Sequence, residues 1–295
     1  MSGDDKIETR IPFAPVSNEP LLPDAIALAA ENMALKKASQ DGWTLFGLAI
    51  LGGAFIALGG LFATVAASGA QGMLPYGVSR LLLGSVFSLG LILVVVAGAQ
   101  LFTSDALMVM AWASGRLKTT RMLRAWAIVW SGNFVGAAGT ALLVFLSGQY
   151  TFGHAQVGAL ALYLASAKSA LPADQAFFLA ILCNVLVCLG TWLALAARSV
   201  GDKIVAIVFP ITAFVAAGFE HCVANMYFVP LGLLIENFAP AAFWADMAHL
   251  GPAMAPVQVA GFVRNLLVVT LGNAVGGALL VGGIYWLIYR RRNTA

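Results

Sequence analysis

Glu220, His221 and Asn225 stand within ten residues, GFEHCVANMY (Gly218–Tyr227), of an otherwise apolar run. The segment IVAIVFPITAFVAA precedes them and FVPLGLLI follows. A charge at the centre of a lipid bilayer costs roughly 2.5–3.5 kcal/mol even on lenient insertion scales, so such residues are candidates for function. An imidazole can donate, accept or carry a proton near neutral pH. His221 in an apolar run could therefore bind an anion or hand it a proton. It could equally brace a backbone carbonyl freed by a break in the helix. Glu220 has its own two readings: part of that chemistry, or a carboxylate that accepts freed backbone N–H groups and holds a loop together. A second polar interruption, GAQLFTSD (Gly98–Asp105), offers Thr103, and both Thr103 and Asn225 can bond an imidazole or a loop.

The elements that carry these residues must lie in a membrane. The 295-residue chain is 61% hydrophobic and 10% charged, against about 25% charged for a soluble domain. Runs of about twenty apolar residues recur and read as transmembrane helices. Six spans are expected, near 43–67, 80–114, 123–147, 175–197, 203–235 and 262–289. The second and fifth exceed a simple crossing, and each holds one of the polar, glycine-containing interruptions. Irregular backbone at membrane depth survives only where protein buries it or water reaches it. Both spans are therefore expected to be broken helices.

The halves echo each other. GNFVGAAGTALLV begins at Gly132 and GNAVGGALLVGG at Gly272, 140 residues later; the interruptions at Gly98 and Gly218 are 120 apart. Each half reads plain helix, broken helix, glycine-rich helix. Three spans per half is odd, so the second half must cross in the opposite sense. Such inverted repeats place a substrate path where the broken helices meet. Gly132, Gly136 and Gly139, and likewise Gly272 and Gly276, fall on one helical face and are read as close-packing positions.

Thirteen of the 16 Lys and Arg residues fall before span one, between two and three, between four and five, or after six; Arg80, Lys168 and Arg264 are the rest. That asymmetry puts both termini in the cytoplasm. The first 42 residues read as a cytoplasmic segment, 43–290 as the transmembrane domain, and 291–295 as a cytoplasmic tail. Residues 23–40 fit an amphipathic helix at the interface, with Asp24 as its cap and Glu31, Lys36 and Lys37 away from the apolar face. The polar amino-terminal segment lacks a signal-peptide pattern, so span one is expected to be retained. Cys183, Cys188 and Cys222 all lie in apolar runs without metal-type pairing and are read as small buried hydrophobes.

No HExxH and no GxSxG occurs, and His154 and His249 read as solvated loop residues. An enzyme, a cofactor, a metal and a nucleic-acid partner are therefore not expected. Paired Asn-Pro-Ala motifs of a neutral-solute channel are also missing.

The strings GFEHCVANMYFVPLG, GAQLFTSDAL and SGRL, with the GNxVG pair, resemble the formate/nitrite transporter family over residues from about 20 to the carboxyl terminus. The resemblance implies an all-α membrane protein: six transmembrane helices as a 3+3 inverted repeat with helices 2 and 5 broken, in an aquaporin-like protomer of a homopentamer. It implies one pore per protomer for small monovalent anions in the inner membrane. His221 matches the family's pore histidine, Thr103 the threonine facing it, and Asn225 the nearby asparagine. Phe87, Leu91, Leu101, Phe102 and Phe214 match the apolar constrictions. Lys168, in what reads as a loop, matches a lysine at the outer mouth, and Asn184 a pore-lining polar residue. Asp105 departs from the pattern and is read as a cap on the following half-helix. The implied function is passive or proton-coupled passage of formate, with nitrite or hydrosulfide as alternatives.

Overall fold

The computed structural model describes residues 19–70, 73–250 and 255–291. Lys6, Arg10, Pro12, Pro15 and Arg292, and most of the tail 291–295, lie outside them. Every regular element of the described chain is helical. Within lipid, backbone N–H and C=O groups must find partners inside the segment, and a helix supplies them.

A peripheral helix α1 (Pro23–Ala38) leads into α2 (Gly42–Ala67). Asp41 caps α2, its carboxylate accepting from the N–H groups of Trp43 and Thr44 at 3.0 Å each. The second span starts as α3 (Tyr76–Phe87) and α4 (Leu89–Ala97), stops, and resumes as α5 (Phe102–Asp105), a single 3-10 turn and α6 (Val109–Ala113). Next come α7 (Thr119–Leu146), α8 (Gln156–Ala170) and α9 (Ala173–Ala196). The fifth span is α10 (Val200–Ala216), a break, and α11 (Cys222–Phe238), which turns by 109° into α12 (Ala241–Met247). The last span is α13 (Val259–Ala274), continued through a π-helical stretch into α14 (Ile284–Tyr289). Five stretches are individually long and apolar enough to cross a membrane: Gly42–Ala67, Tyr76–Ala97, Thr119–Leu146, Ala173–Ala196 and Val259–Tyr289. The helices α10 and α11, of 17 residues each, fall just short of that length singly, and the sixth candidate by length and composition is the bent pair Cys222–Phe238 and Ala241–Leu250.

Both breaks sit where the sequence reading placed them. Gly98 and Gly218 end α4 and the turn after α10 with φ of 86° and 77°. That left-handed backbone suits glycine, which lacks the Cβ that would clash there.

The inverted repeat is visible residue by residue. A Cβ on Gly132 would press on Ala49 and the Phe46 carbonyl, and on Gly136 it would overlap the Ile50 carbonyl. A Cβ on Gly272 would press on Ala180 and the Phe177 carbonyl, and on Gly276 it would overlap the Ile181 carbonyl. So α7 lies on α2 as α13 lies on α9, with every contact position shifted by the repeat. Gly139 is outside this scheme: nothing lies within 4 Å of its position, so it faces away from the packed side.

Three expectations change. Lys168 lies in the last turn of α8, a 15-residue helix, and not in a loop. Asp24 sits in the first turn of α1 without capping it; Leu22 is the capping position, followed by Pro23 at the start. Glu31 is not on a solvated face but fully buried. Its carboxylate takes Arg116 at 2.8 Å, Arg290 at 3.0 and 3.3 Å and Ser114 at 2.6 Å. Burial opposes its charge, yet hydrogen bonds from Arg290, Ser114 and Arg116 prevail and hold the carboxyl below its ordinary range.

Candidate functional site

The two breaks meet inside the bundle, and side chains from the glycine-rich spans hold them open. Asn133 accepts from the N–H of Phe102 at 2.9 Å and donates to the carbonyls of Ala49 at 2.7 Å and Gln100 at 2.9 Å. Asn273 accepts from the N–H of Cys222 at 2.9 Å and donates to the carbonyls of Ala180 at 2.8 Å and Glu220 at 2.9 Å. Each asparagine thus takes up backbone groups that the interrupted helix cannot pair with itself. Reading Gly132 and Gly272 as packing positions passed over the asparagines beside them. The signal was present, since Gly132 and Gly272 are each followed by Asn.

His221 is the residue that enters α11. Its Nδ1 accepts from the N–H of Ala224 at 3.0 Å. The neutral ring therefore carries its proton on Nε2. That nitrogen lies 3.0 Å from Oγ1 of Thr103, on the other broken helix. Both residues are buried. The imidazole borders a chamber of about 10 Å³ whose other walls are Ile56, Phe87, Leu91, Leu101, Val187, Ile211 and Phe214. Such a space holds about one water. The rings of Phe87 and Phe214 meet edge to face at 5.8 Å, and Phe214 stacks on His221 at 5.8 Å.

A vestibule opens on each side of the chamber. One, of about 220 Å³, shares Phe87, Phe214 and His221 with it and is also lined by Arg80, Lys168, Glu220 and Phe228. The other, of about 330 Å³, is lined by Lys36, Lys37 and Gln40 from the α1 region, by Gln100 and Ser104 at the first break, and by Thr191 and Lys203. Two vestibules therefore approach one apolar constriction at which a single polar ring faces the gap.

Sequence comparison names this architecture. The profile of the formate/nitrite transporters matches residues 24–287. The chain belongs to the formate/nitrite transporter family. It is 42% identical over 274 residues to the formate channel FocA of Escherichia coli (strain K12), covering 92% of this chain and 96% of the relative. It is 41% identical over 254 residues to the formate channel FocA of Haemophilus influenzae, covering 86% and 89%. A solved structure described as a pentameric formate channel with formate bound superposes with a TM-score of 0.78 at 40% identity, over 84% of this chain and 97% of that one.

Within this transporter-family framework the expected site residues separate into two groups. His221, Phe87, Leu91, Leu101 and Phe214 line the chamber, Thr103 touches its imidazole, and Lys168 and Glu220 line a vestibule. Phe102 is elsewhere: its ring lies edge-on to Trp126 at 6.0 Å. Asn225 does not reach the imidazole; it donates to Glu220 Oε2 and Asn265 Oδ1, both at 2.7 Å. Asn184 donates to the carbonyls of Thr103 at 3.2 Å and Asn273 at 2.6 Å, bracing the backbone and not the chamber wall. The Glu220 carboxylate takes side-chain donors, Lys168 at 2.7 Å with Asn225 and Asn265, and not backbone amides. Asp105 caps nothing. It pairs with Lys37 of α1 at 2.6 Å, because the first break brings it against that helix.

Proposed function

We propose that this protein passes formate across the inner membrane through a pore in each protomer, either passively or coupled to a proton. The observation that carries the reading is the His221 ring at a one-water gap between two vestibules, held there by both broken helices. Formate is a carboxylate, with a pKa near ~4 by analogy with protein carboxyls, so neutral water holds its anion. Phe87, Leu91, Leu101 and Phe214 offer that anion nothing but apolar surface, and a bare charge there is costly. At the gap, Nε2–H of His221 leaves Thr103 and donates to the anion. The freed threonine hydroxyl turns to donate to the second oxygen. Where a proton follows, the neutral acid crosses the apolar rings far more cheaply. The chamber must widen by side-chain rotation of Phe87, Leu91, Leu101 or Phe214, which at rest keeps out anything larger than one water.

The same reading assigns Asn225 and Asn184 to hold the two breaks in place. It takes residues 43–290 as the channel, with residues 1–42, the tail 291–295 and both termini on the cytoplasmic side. It takes the assembly as a homopentamer; native mass spectrometry in detergent would return five copies. Nitrite and hydrosulfide, also small anions of weak acids, are the competitors to include in the assay. The test is uptake of labelled formate into proteoliposomes. His221→Phe keeps the apolar contacts and removes the donor; its rate should fall at least about tenfold, the equivalent of 1.4 kcal/mol, and its pH profile should flatten. A variant matching the parent in both would remove His221 from the mechanism.

A further inference from the structure

The two sides of the gap are joined by more than the bond between Thr103 and His221. The side-chain amide of Asn184, on α9, gives one hydrogen to the Thr103 carbonyl at 3.2 Å and the other to the Asn273 carbonyl at 2.6 Å. The Cys188 thiol, one turn further along α9, donates to the same Thr103 carbonyl at 3.3 Å. The side chain of Asn273 in turn holds the backbone of Glu220 and Cys222, the residues on either side of His221. A closed loop of contacts therefore runs from the imidazole to Thr103, through Asn184 to the last span, and back to the backbone that carries the imidazole. Asn184, Cys188, Thr103 and Asn273 are all buried.

Thr103 needs an external hold of this kind. The helix α5 is four residues long and passes at once into a 3-10 turn. One turn of helix makes too few internal bonds to fix its own geometry. The direction of the Thr103 hydroxyl then depends on what grips its backbone.

The inverted repeat shows that the grip belongs to one half alone. Ile50 and Ile181, 131 residues apart, stand opposite the corresponding glycines Gly136 and Gly276. The same offset pairs Ile56 with Val187, both walls of the chamber. It pairs Asn184 with Gly53 and Cys188 with Ala57. Gly53 lies against the Asn133 carbonyl as Asn184 lies against the Asn273 carbonyl, but Gly53 and Ala57 have no side-chain donor to offer the facing break. The last span makes room for the larger pair. A Cβ on Gly277 would overlap the Asn184 amide and stand 2.8 Å from the Cys188 sulfur. Gly277 falls in the π-helical stretch Val275–Gly283, whereas its counterpart Ala137 sits in the regular helix α7. Widened turns of that kind gather at functional sites. Small residues would serve helix packing in both halves, and the second half departs from them at the two positions that bind the Thr103 carbonyl.

We infer that Asn184 and Cys188 are positioning residues for passage: their grip on the Thr103 carbonyl keeps the threonine hydroxyl in register with Nε2 of His221. This rests on the anion-passage reading above.

The test follows the imidazole directly. In protein carrying isotope-labelled histidine and reconstituted in lipid, the Nε2 nitrogen resonance of His221 is the one that disappears in His221→Phe. Asn184→Ala and Cys188→Ala should each move it toward the position found in Thr103→Val, where the partner hydroxyl is gone. Cys188→Ser keeps a donor at the same place and should leave it near the parent's. Maximal formate flux per assembled protein in proteoliposomes should fall about threefold to tenfold in the two alanine variants, because a misplaced reacting partner slows the step. Their KM should stay within about twofold of the parent's, since the anion is gathered elsewhere, and Cys188→Ser should recover most of the flux. An unmoved resonance in both alanine variants overturns the inference, and so does a moved resonance with parent-like flux. A Cys188→Ser variant as impaired as Cys188→Ala assigns the thiol to packing and overturns its part. Should Asn184→Ala fail to assemble, Cys188→Ala set against Cys188→Ser decides by itself. A parent that moves no formate refutes the passage reading instead, and the resonance, which needs no transport, tells the two failures apart.

Discussion

Asn133 and Asn273 each satisfy two backbone groups that a broken helix leaves open and donate to a third carbonyl on a continuous neighbouring helix. A buried donor or acceptor stripped of its partner costs about 1–3 kcal/mol. Replacing either by Ala should therefore destabilise the protomer by at least about 2 kcal/mol, read as a large drop in thermal midpoint in detergent. Equal losses for the two variants would follow from the repeat; a variant with an unshifted midpoint would mean that the break keeps its shape without the asparagine. The chemistry-bearing trio near the second break divides by side chain. His221 faces the gap, whereas Glu220 and Asn225 turn to Lys168 and Asn265. Composition flagged all three equally, because an apolar background singles out polarity and is blind to direction. Direction comes from Nδ1 of His221 accepting the Ala224 amide, which aims Nε2 across at Thr103.

At the scale of elements, α1 is fastened to the membrane domain at its middle and at its carboxyl-terminal end. Glu31 binds Arg116 and Arg290, Lys37 binds Asp105, and Gln40 accepts from Gln100 at 3.1 Å. Glu31→Gln leaves two arginines facing a neutral amide, so α1 should loosen, seen as a more mobile spin label at exposed Ser39. In the parent, Glu31 is held below its ordinary carboxyl range. Its contribution is thus fully present above the unfolded pKa of about 4.3 and is lost only as pH falls through the lower folded value. The Ser39 label should stay immobile from pH 7 to 5 and gain mobility only in stronger acid; mobility rising near pH 6 would assign the tether to another group. The helix α8 was read as a loop because its 15 residues are too short to span and rich in Ala and Ser. The salt bridge of Asp105 was out of reach for a different reason: its partner is 68 residues away, and no local pattern encodes that distance.

For the whole molecule, the inverted repeat makes paired predictions. A methyl group on Gly136 or on Gly276 would collide with a carbonyl, of Ile50 or Ile181, across a helix contact. Gly136→Ala and Gly276→Ala should each cost about 1–3 kcal/mol through overpacking, measured as matched shifts in thermal midpoint. Gly139→Ala, with nothing within 4 Å, serves as the control and should hold or slightly raise the midpoint, since Ala favours the helix interior. A silent Gly136→Ala would show that α2 and α7 can separate without loss. The large exposed side chains, Trp43, Phe209 and Leu146 among them, need no aqueous explanation, because lipid or neighbouring protomers face them.

The amino-acid sequence alone determined that the chain spans a membrane six times, that two spans break near Gly98 and Gly218, and that its halves are inverted copies. These are properties of apolar run length, glycine position and periodicity, all written within short stretches. Only the tertiary structure decided which polar groups spend themselves on one another: Lys168 on Glu220, Lys37 on Asp105, Asn184 on the backbone of Thr103. Those pairings depend on how closely distant segments approach. That closeness is set by helix packing around small residues, and it left His221 as the polar ring beside the gap.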